Sequence, residues 1–229
     1  LIEGALIVVL VLVLFLGNIR SGLIVASVIP LAMLFAVALM KVFGVSGNLM
    51  SLGAIDFGLI VDGAVIIVEA TMHRLALQKA GKISQAEMDM QVSGSAKKMM
   101  NSAAFGQLII LIVYLPILAL VGIEGKMFRT MAQTVSFAIF GALILSLTYV
   151  PMISSLLLSK NITHKKNFSD KMMEKFQRVY DPLINGALRF KKTVLIVAIA
   201  LLGLSAVIFN SLGGEFLPTL EEGDFAVET

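Results

Sequence analysis

Apolar stretches long enough to cross a lipid bilayer recur six times along this chain, and that recurrence leaves few folds open to it. A hydrocarbon core about 30 Å thick takes roughly 20 mainly apolar residues in a helix. Such stretches run over Leu1–Leu16, Gly22–Met40, Leu52–Ala70, Ala103–Val121, Thr134–Leu158 and Thr193–Leu212. The composition agrees: 58% of the 229 residues are hydrophobic and only 14% charged, where a soluble domain carries about 25% charged residues. The mean hydropathy is +0.96. The expected fold is all-α, a polytopic transmembrane helix bundle; Pro30 lies near the middle of the second stretch, where a membrane helix tolerates a kink, Pro116 lies in the fourth, and Pro151 lies toward the end of the fifth. The first stretch begins at once, broken only by Glu3, with neither a basic leader nor a small-residue cleavage site. It does not read as a signal peptide, and the expectation is a protein whose N-terminal part precedes this sequence.

Lysine and arginine are retained on the cytoplasmic side, so their distribution sets the orientation. Alternate connections hold 15 of the 18 basic residues: Arg20, then Arg74 to Lys98, then Lys160 to Lys192. The opposite group holds only Lys41, Lys126 and Arg129. Leu1 is therefore expected on the outer side, as is the tail. Two inner connections read as helices. Residues 85–100 form one; in the other, over 168–190, Phe168, Met172, Phe176, Val179 and Leu183 recur at spacings of three and four among Lys171, Lys175 and Arg178. That second helix is expected either on the inner membrane interface, its basic residues toward anionic lipid, or packed on neighbouring helices. Residues 1–212 thus make up the bundle. Residues 213–229, with Glu215, Glu221, Glu222, Asp224 and Glu228 after the Gly213–Gly214 pair, read as the start of an outer domain. Cysteine is absent, which excludes disulfides. No Gly-rich phosphate loop of the Lys-Ser/Thr type is present, so ATP is not expected to drive the protein. The basic residues are spread along inner loops, where topology accounts for them, so no nucleic-acid partner is expected; nor is any cofactor.

The chemistry concentrates in the third stretch, SLGAIDFGLIVDGAVIIVEA, which places three carboxylates in an apolar helix. An Asp at the centre of a membrane helix costs about 2.5–3.5 kcal/mol on insertion scales, so such acids face a bundle interior and mark ion pathways. With the helix drawn over Leu52–Ala70, Asp62 falls near its middle. Asp56 then lies about 9 Å outward and Glu69 about 10 Å inward at about 1.5 Å per residue. Seven residues bring Asp62 and Glu69 onto one face, with Asp56 about 120° away. This is a ladder of acids, a candidate proton relay, and not a compact metal cage. Gly58 and Gly63 thin the helix beside it and admit another helix closely. Each acid also has a plainer reading. Asp62 can pair with a basic residue on another helix, Asp56 can serve as a packing hydrogen bonder, and Glu69 can be solvated near His73 and Arg74. None of the expected spans carries a Lys or Arg at midplane depth, so any counter-charge for Asp62 must come from elsewhere.

The segment GNLMSLGAIDFGLIVDGAVIIVEATMHRL resembles the fourth transmembrane helix, with its preceding outer turn, of resistance–nodulation–division (RND) transporters of the heavy-metal efflux branch. The flanking stretches resemble that family's second, third, fifth and sixth helices in order. GGEFLPTLEEGDFAVET resembles the entry from the seventh helix into the second periplasmic domain. The resemblance implies a multi-pass protein of the bacterial inner membrane, a homotrimer with twelve transmembrane helices and two large periplasmic domains per chain. It implies proton-driven export of heavy-metal cations, together with a periplasmic adaptor and an outer-membrane channel. Matched to zinc–cobalt–cadmium exporters, Asp56, Asp62 and Glu69 fall on acids implicated in proton transfer. Asp62 also matches the first acid of an adjacent pair in drug exporters; the second is Gly63 here, which argues against that branch. Ala70 departs from the family's usual Asn. The metal-binding residues stay unassigned. The 13 methionines suggest Cu(I) or Ag(I) only weakly, since Met is common core filler, and Asp56-Phe57-Gly58 points to divalent cations. Two other readings stand beside this one: an RND transporter for another substrate, drug or lipid, and an inactive truncated remnant.

Overall fold

The computed structural model describes residues 2–47, 53, 55–78, 81–162 and 168–211. Glycine and asparagine turn the chain between its first two helices. Helix α1 (Ile2–Leu16) ends at Gly17, whose φ of 62° suits glycine alone among unstrained residues. Asn18 then caps α2 (Ile19–Ala26) by accepting a hydrogen bond from the Arg20 amide at 3.0 Å. The two helices cross so closely that a Cβ on Gly22 would fall 2.8 Å from the Cα of Val13.

Prolines break two of the expected spans in the same way. Helix α2 stops at Ala26 and α3 (Val28–Val42) follows after Ser27. Pro30 has no amide to offer the Ala26 carbonyl, and its ring crowds that carbonyl, so the ladder fails four residues earlier. Helix α6 (Gly122–Leu147) likewise ends at the residue four before Pro151, and α7 (Tyr149–Leu157) resumes after Thr148. A side-chain contact joins the two breaks: the Ser27 and Tyr149 hydroxyls lie 3.1 Å apart. The single hydrogen of Ser27 goes to the Ile24 carbonyl at 2.6 Å, so Tyr149 donates in this pair.

Two expected boundaries are corrected. Helix α4 is described over Phe57–Ala76, shifted inward from the expected Leu52–Ala70. Helix α5 runs unbroken over Gln85–Leu118, 34 residues and about 51 Å, and absorbs both the expected inner helix at 85–100 and the fourth span. No proline precedes Pro116 in it. Its start is fixed by a capping box: the Ser84 amide donates to Glu87 at 2.8 Å and the Glu87 amide to Ser84 Oγ at 3.2 Å. The turn at 48–52, Lys79 and the expected outer-domain start at 213–229 lie outside the described residues.

Within residues 1–172, which form one unit, α3 packs on α6 and α4 packs on α5 and α6. Small residues let these helices approach, as membrane packing requires. Phe35 of α3 lies over Gly141 of α6, where a Cβ would stand 2.5 Å from the ring. Ala32, Ala64, Ala138 and Ala142 are fully buried among Ile24, Val28, Ile60, Ile67 and Val135. Strands β1 (Gly81–Lys82) and β2 (Asn161–Ile162) pair antiparallel and tie the α4–α5 connection to the one that follows α7.

The second unit, 173–229, takes most of α8 (Phe168–Arg189) and all of α9 (Lys191–Ser211). A helix over 168–189 matches the expected amphipathic segment, and Phe176, Val179 and Leu183 are exposed on it. Among the described residues, four helical stretches suffice by length and composition to cross a membrane: Ile19–Val42, Gln85–Leu118, Gly125–Leu147 and Lys191–Asn210. Glu3–Leu16 is a shorter apolar helix. Helix α4, with 20 residues, has the length of a span but carries Asp62, Glu69 and Arg74.

Candidate functional site

Helix α4 divides sharply into two faces. Phe57, Ile60, Val61, Gly63, Ala64, Ile67, Val68, Thr71 and Leu75 are buried against the neighbouring helices. Asp62, Glu69 and His73 are exposed on the opposite side. Asp62 and Glu69 therefore share a face, as their seven-residue spacing requires. Neither makes a hydrogen bond or an ion pair with any described residue. The centre of the helix lies near Ile66 and Ile67, so the acids flank it: Asp62 about 7 Å toward its N-terminal end and Glu69 about 4 Å toward its C-terminal end.

Asp56 does not lie on this helix face. It is the N-cap of α4, with extended backbone (φ −87°, ψ 113°), and its carboxylate accepts from the Gly58 amide at 2.8 Å. Among the plainer readings, that of a hydrogen bonder comes nearest to this geometry, with a partner in its own backbone. Gly58 meets only Asp56 Oδ1, at 3.1 Å from a built Cβ, so it belongs to the cap and not to a helix crossing. Gly63 does provide the expected close approach, with Gln107 of α5 and Ser146 of α6 pressed against it.

Toward the inner end of α4 a cavity of about 630 Å³ opens between α4 and α5, lined by Glu69, His73, Arg74, Ser95, Lys98 and apolar neighbours. The Arg74 guanidinium lies over Gly94 of α5, in space that any Cβ there would fill. Glu69 thus lines a mainly apolar opening, whereas Asp62 does not line it. Sequence reasoning missed Gln107 and Ser146, both fully buried. The signal was a lone glutamine inside the apolar run Ala103–Leu118.

The model of the AcrB/AcrD/AcrF family, the RND transporters, matches residues 1–229. The chain belongs to this family. It is 47% identical to the cobalt-zinc-cadmium resistance protein CzcA of Cupriavidus metallidurans, over 100% of this chain and 21% of that protein. It is 34% identical to the cation efflux system protein CusA of Escherichia coli (strain K12), over 98% of this chain and 22% of that one. A crystal structure of a heavy metal efflux pump, crystal form II, superposes with a TM-score of 0.74 at 34% identity, covering 97% of this chain and 20% of that one. This RND chain therefore spans about a fifth of the length of the relatives it matches, within the heavy-metal efflux branch.

Proposed function

We propose that the full-length protein containing this chain exports divalent heavy-metal cations across the bacterial inner membrane in exchange for protons. Zinc, cobalt and cadmium are favoured over copper and silver, because the relative at 47% identity is named as a cobalt-zinc-cadmium resistance protein. The working assembly is a homotrimer joined to a periplasmic adaptor and an outer-membrane channel.

One observation carries the proton-coupled part: Asp62 and Glu69 stand on one exposed face of a span-length helix with no partner among the described residues. A bare carboxylate there demands water or a counter-charge, while the protonated acid sits in a closed, dry environment. Cycling between the two forms lets a proton gradient bias the packing on that face of α4. Glu69, at the inner cavity, exchanges protons with the cytoplasmic side. Asp56, at the outer end, stabilises the helix start and lies where protons enter from outside.

Asp62→Asn keeps shape and most hydrogen bonding but cannot titrate. In the full-length protein reconstituted in vesicles, this variant is expected to assemble and bind metal, yet lose both proton flux and gradient-driven export. Export at the wild-type rate under an imposed pH gradient would overturn the reading.

A further inference from the structure

The cavity between α4 and α5 brings one acid together with three basic side chains: Glu69, His73 and Arg74 of α4, and Lys98 of α5. The helical period makes the first two neighbours. Residues four apart lie on one face of a helix, with Cβ atoms about 5–6 Å apart. Glu69 and His73 are both exposed, and both line this cavity. His73 belongs to the last turn of α4, about 6 Å nearer its C-terminal end, so it stands between Glu69 and the point where the helix ends. The two side chains make no hydrogen bond to each other in this structure. Exposed side chains change rotamer within nanoseconds, and at this spacing a carboxyl and an imidazole come within reach of one another.

Of the groups that line the cavity, imidazole is the one that takes a proton from a carboxylic acid and gives it up again near neutral pH. A guanidinium and an ammonium stay charged through that range and have no lone pair with which to accept. The Ser95 hydroxyl already donates to the Gln91 carbonyl at 2.9 Å. Arg74 and Lys98 have another effect. The Arg74 guanidinium is lodged against Gly94 of α5, whose missing side chain makes the room, and Lys98 lines the cavity from the same helix. A carboxylate left on Glu69 after its proton has gone therefore faces two standing positive charges.

We infer that His73 takes the proton from Glu69 and releases it at the C-terminal end of α4. The proton leaves the Glu69 carboxylic acid for a ring nitrogen of His73, which gives a carboxylate and an imidazolium. The imidazolium then passes the same proton to solvent, and neutral imidazole returns. The inference rests on the proton-coupled reading of Asp62 and Glu69 and extends that route by one helical turn. A histidine in a last turn has a plainer use, since a positive side chain there complements the partial negative charge of the helix C-terminus. Lysine serves that use equally well and cannot cycle its proton near neutral pH.

The test uses the full-length pump in vesicles, with pH varied at constant proton-motive force. His73→Gln keeps a polar side chain but does not titrate. Proton flux and metal export are expected to fall about a hundredfold, the lower end of what a positioned acid–base group contributes. The pH–rate profile is expected to lose its step in the imidazole range, about pH 5 to 8, which a purely structural role would not cause. His73→Lys is expected to lose as much, although it keeps a charge at the helix end. The double variant Glu69→Gln/His73→Gln should lose no more than Glu69→Gln alone, because both residues handle the same proton. Wild-type flux in His73→Lys overturns the inference, as does an unchanged pH profile in His73→Gln or a loss that adds in the double variant. Should His73→Gln fail to assemble, an unchanged pH profile in His73→Lys overturns it instead. If Asp62→Asn still exports, the proton-coupled reading itself has failed; if Asp62→Asn is silent while both His73 variants run at the wild-type rate, that reading stands and His73 only complements the helix end.

Discussion

Asp56 is the residue at which two roles can be separated by chemistry. As the N-cap of α4 it accepts from the Gly58 amide, a task that asparagine performs about equally well and alanine does not. Asp56→Ala is expected to lower stability by about 1 kcal/mol, and Asp56→Asn by little. Transport that survives Asp56→Asn but fails with Asp56→Ala marks a cap; equal failure with both substitutions, at unchanged stability for Asn, marks a proton carrier. Glu69 lines the cavity at the C-terminal end of α4, the end away from Asp62. Glu69→Gln is therefore expected to lower export less than Asp62→Asn in the same vesicle assay. Complete and equal loss from all three acids would point to a strictly coupled chain.

At the scale of elements, the two proline breaks act as a linked pair. Ser27 is the break residue between α2 and α3, Tyr149 is the first residue after the break between α6 and α7, and their hydroxyls meet at 3.1 Å. Polar contacts between membrane helices are worth about 0.6 kcal/mol on average. A double-mutant cycle with Ser27→Ala and Tyr149→Phe should return a coupling of about that size in unfolding measurements; strictly additive effects would leave the two breaks independent. At the inner end, α5 is tethered to α7 through Asp89, which accepts from the Ser155 hydroxyl and, at 2.7 Å, from Gln85 Nε2. The Ser155 hydroxyl, then the Gln85 amide, hold the Asp89 carboxyl below the usual aspartate range. A depressed folded-state value means stability that is present above the ordinary aspartate range and lost as pH falls through the lowered one. Protection against hydrogen exchange at the start of α5, taken relative to the intrinsic rate at each pH, should therefore fall on acidification, and Asp89→Asn should abolish that dependence. An unchanged acid response in Asp89→Asn would place the loosening elsewhere.

Across the whole molecule, the uneven distribution of basic residues makes a prediction about sides. In the full-length protein in intact cells, cysteines at Lys82 or Lys171 should be protected from an impermeant thiol reagent, and one at Lys126 should be labelled. The reverse pattern would invert the topology. Residues 191–210 of α9 are exposed, and on α4 Asp62 and Glu69 are exposed with Val65 and Ile66 half-buried between them. Apolar α9 is content against lipid, but the acidic face is not: a carboxylate held against hydrocarbon carries the full cost of desolvation. The two exposed surfaces therefore call for different surroundings, one lipid and one polar.

The amino-acid sequence by itself determined that this chain is a set of membrane-length helices, which orientation to expect of them, and that Asp62 and Glu69 share a face. Each follows from something local. Transfer of apolar residues into lipid is summed over about 20 neighbours, basic residues are held back loop by loop, and a helical period of 3.6 fixes what lies seven residues away. The sequence even carried the cause of the breaks at Ser27 and Thr148, since Pro30 and Pro151 each withhold an amide from the carbonyl four residues back. The tertiary structure alone decided that the hydroxyls beside those breaks meet and that the acidic face is the one α5 and α6 leave uncovered. It alone also decided that Gly63 receives Gln107 and Ser146. Those outcomes depend on which helices approach one another, and that is set by close packing among residues far apart in the chain, which no local period or transfer energy encodes.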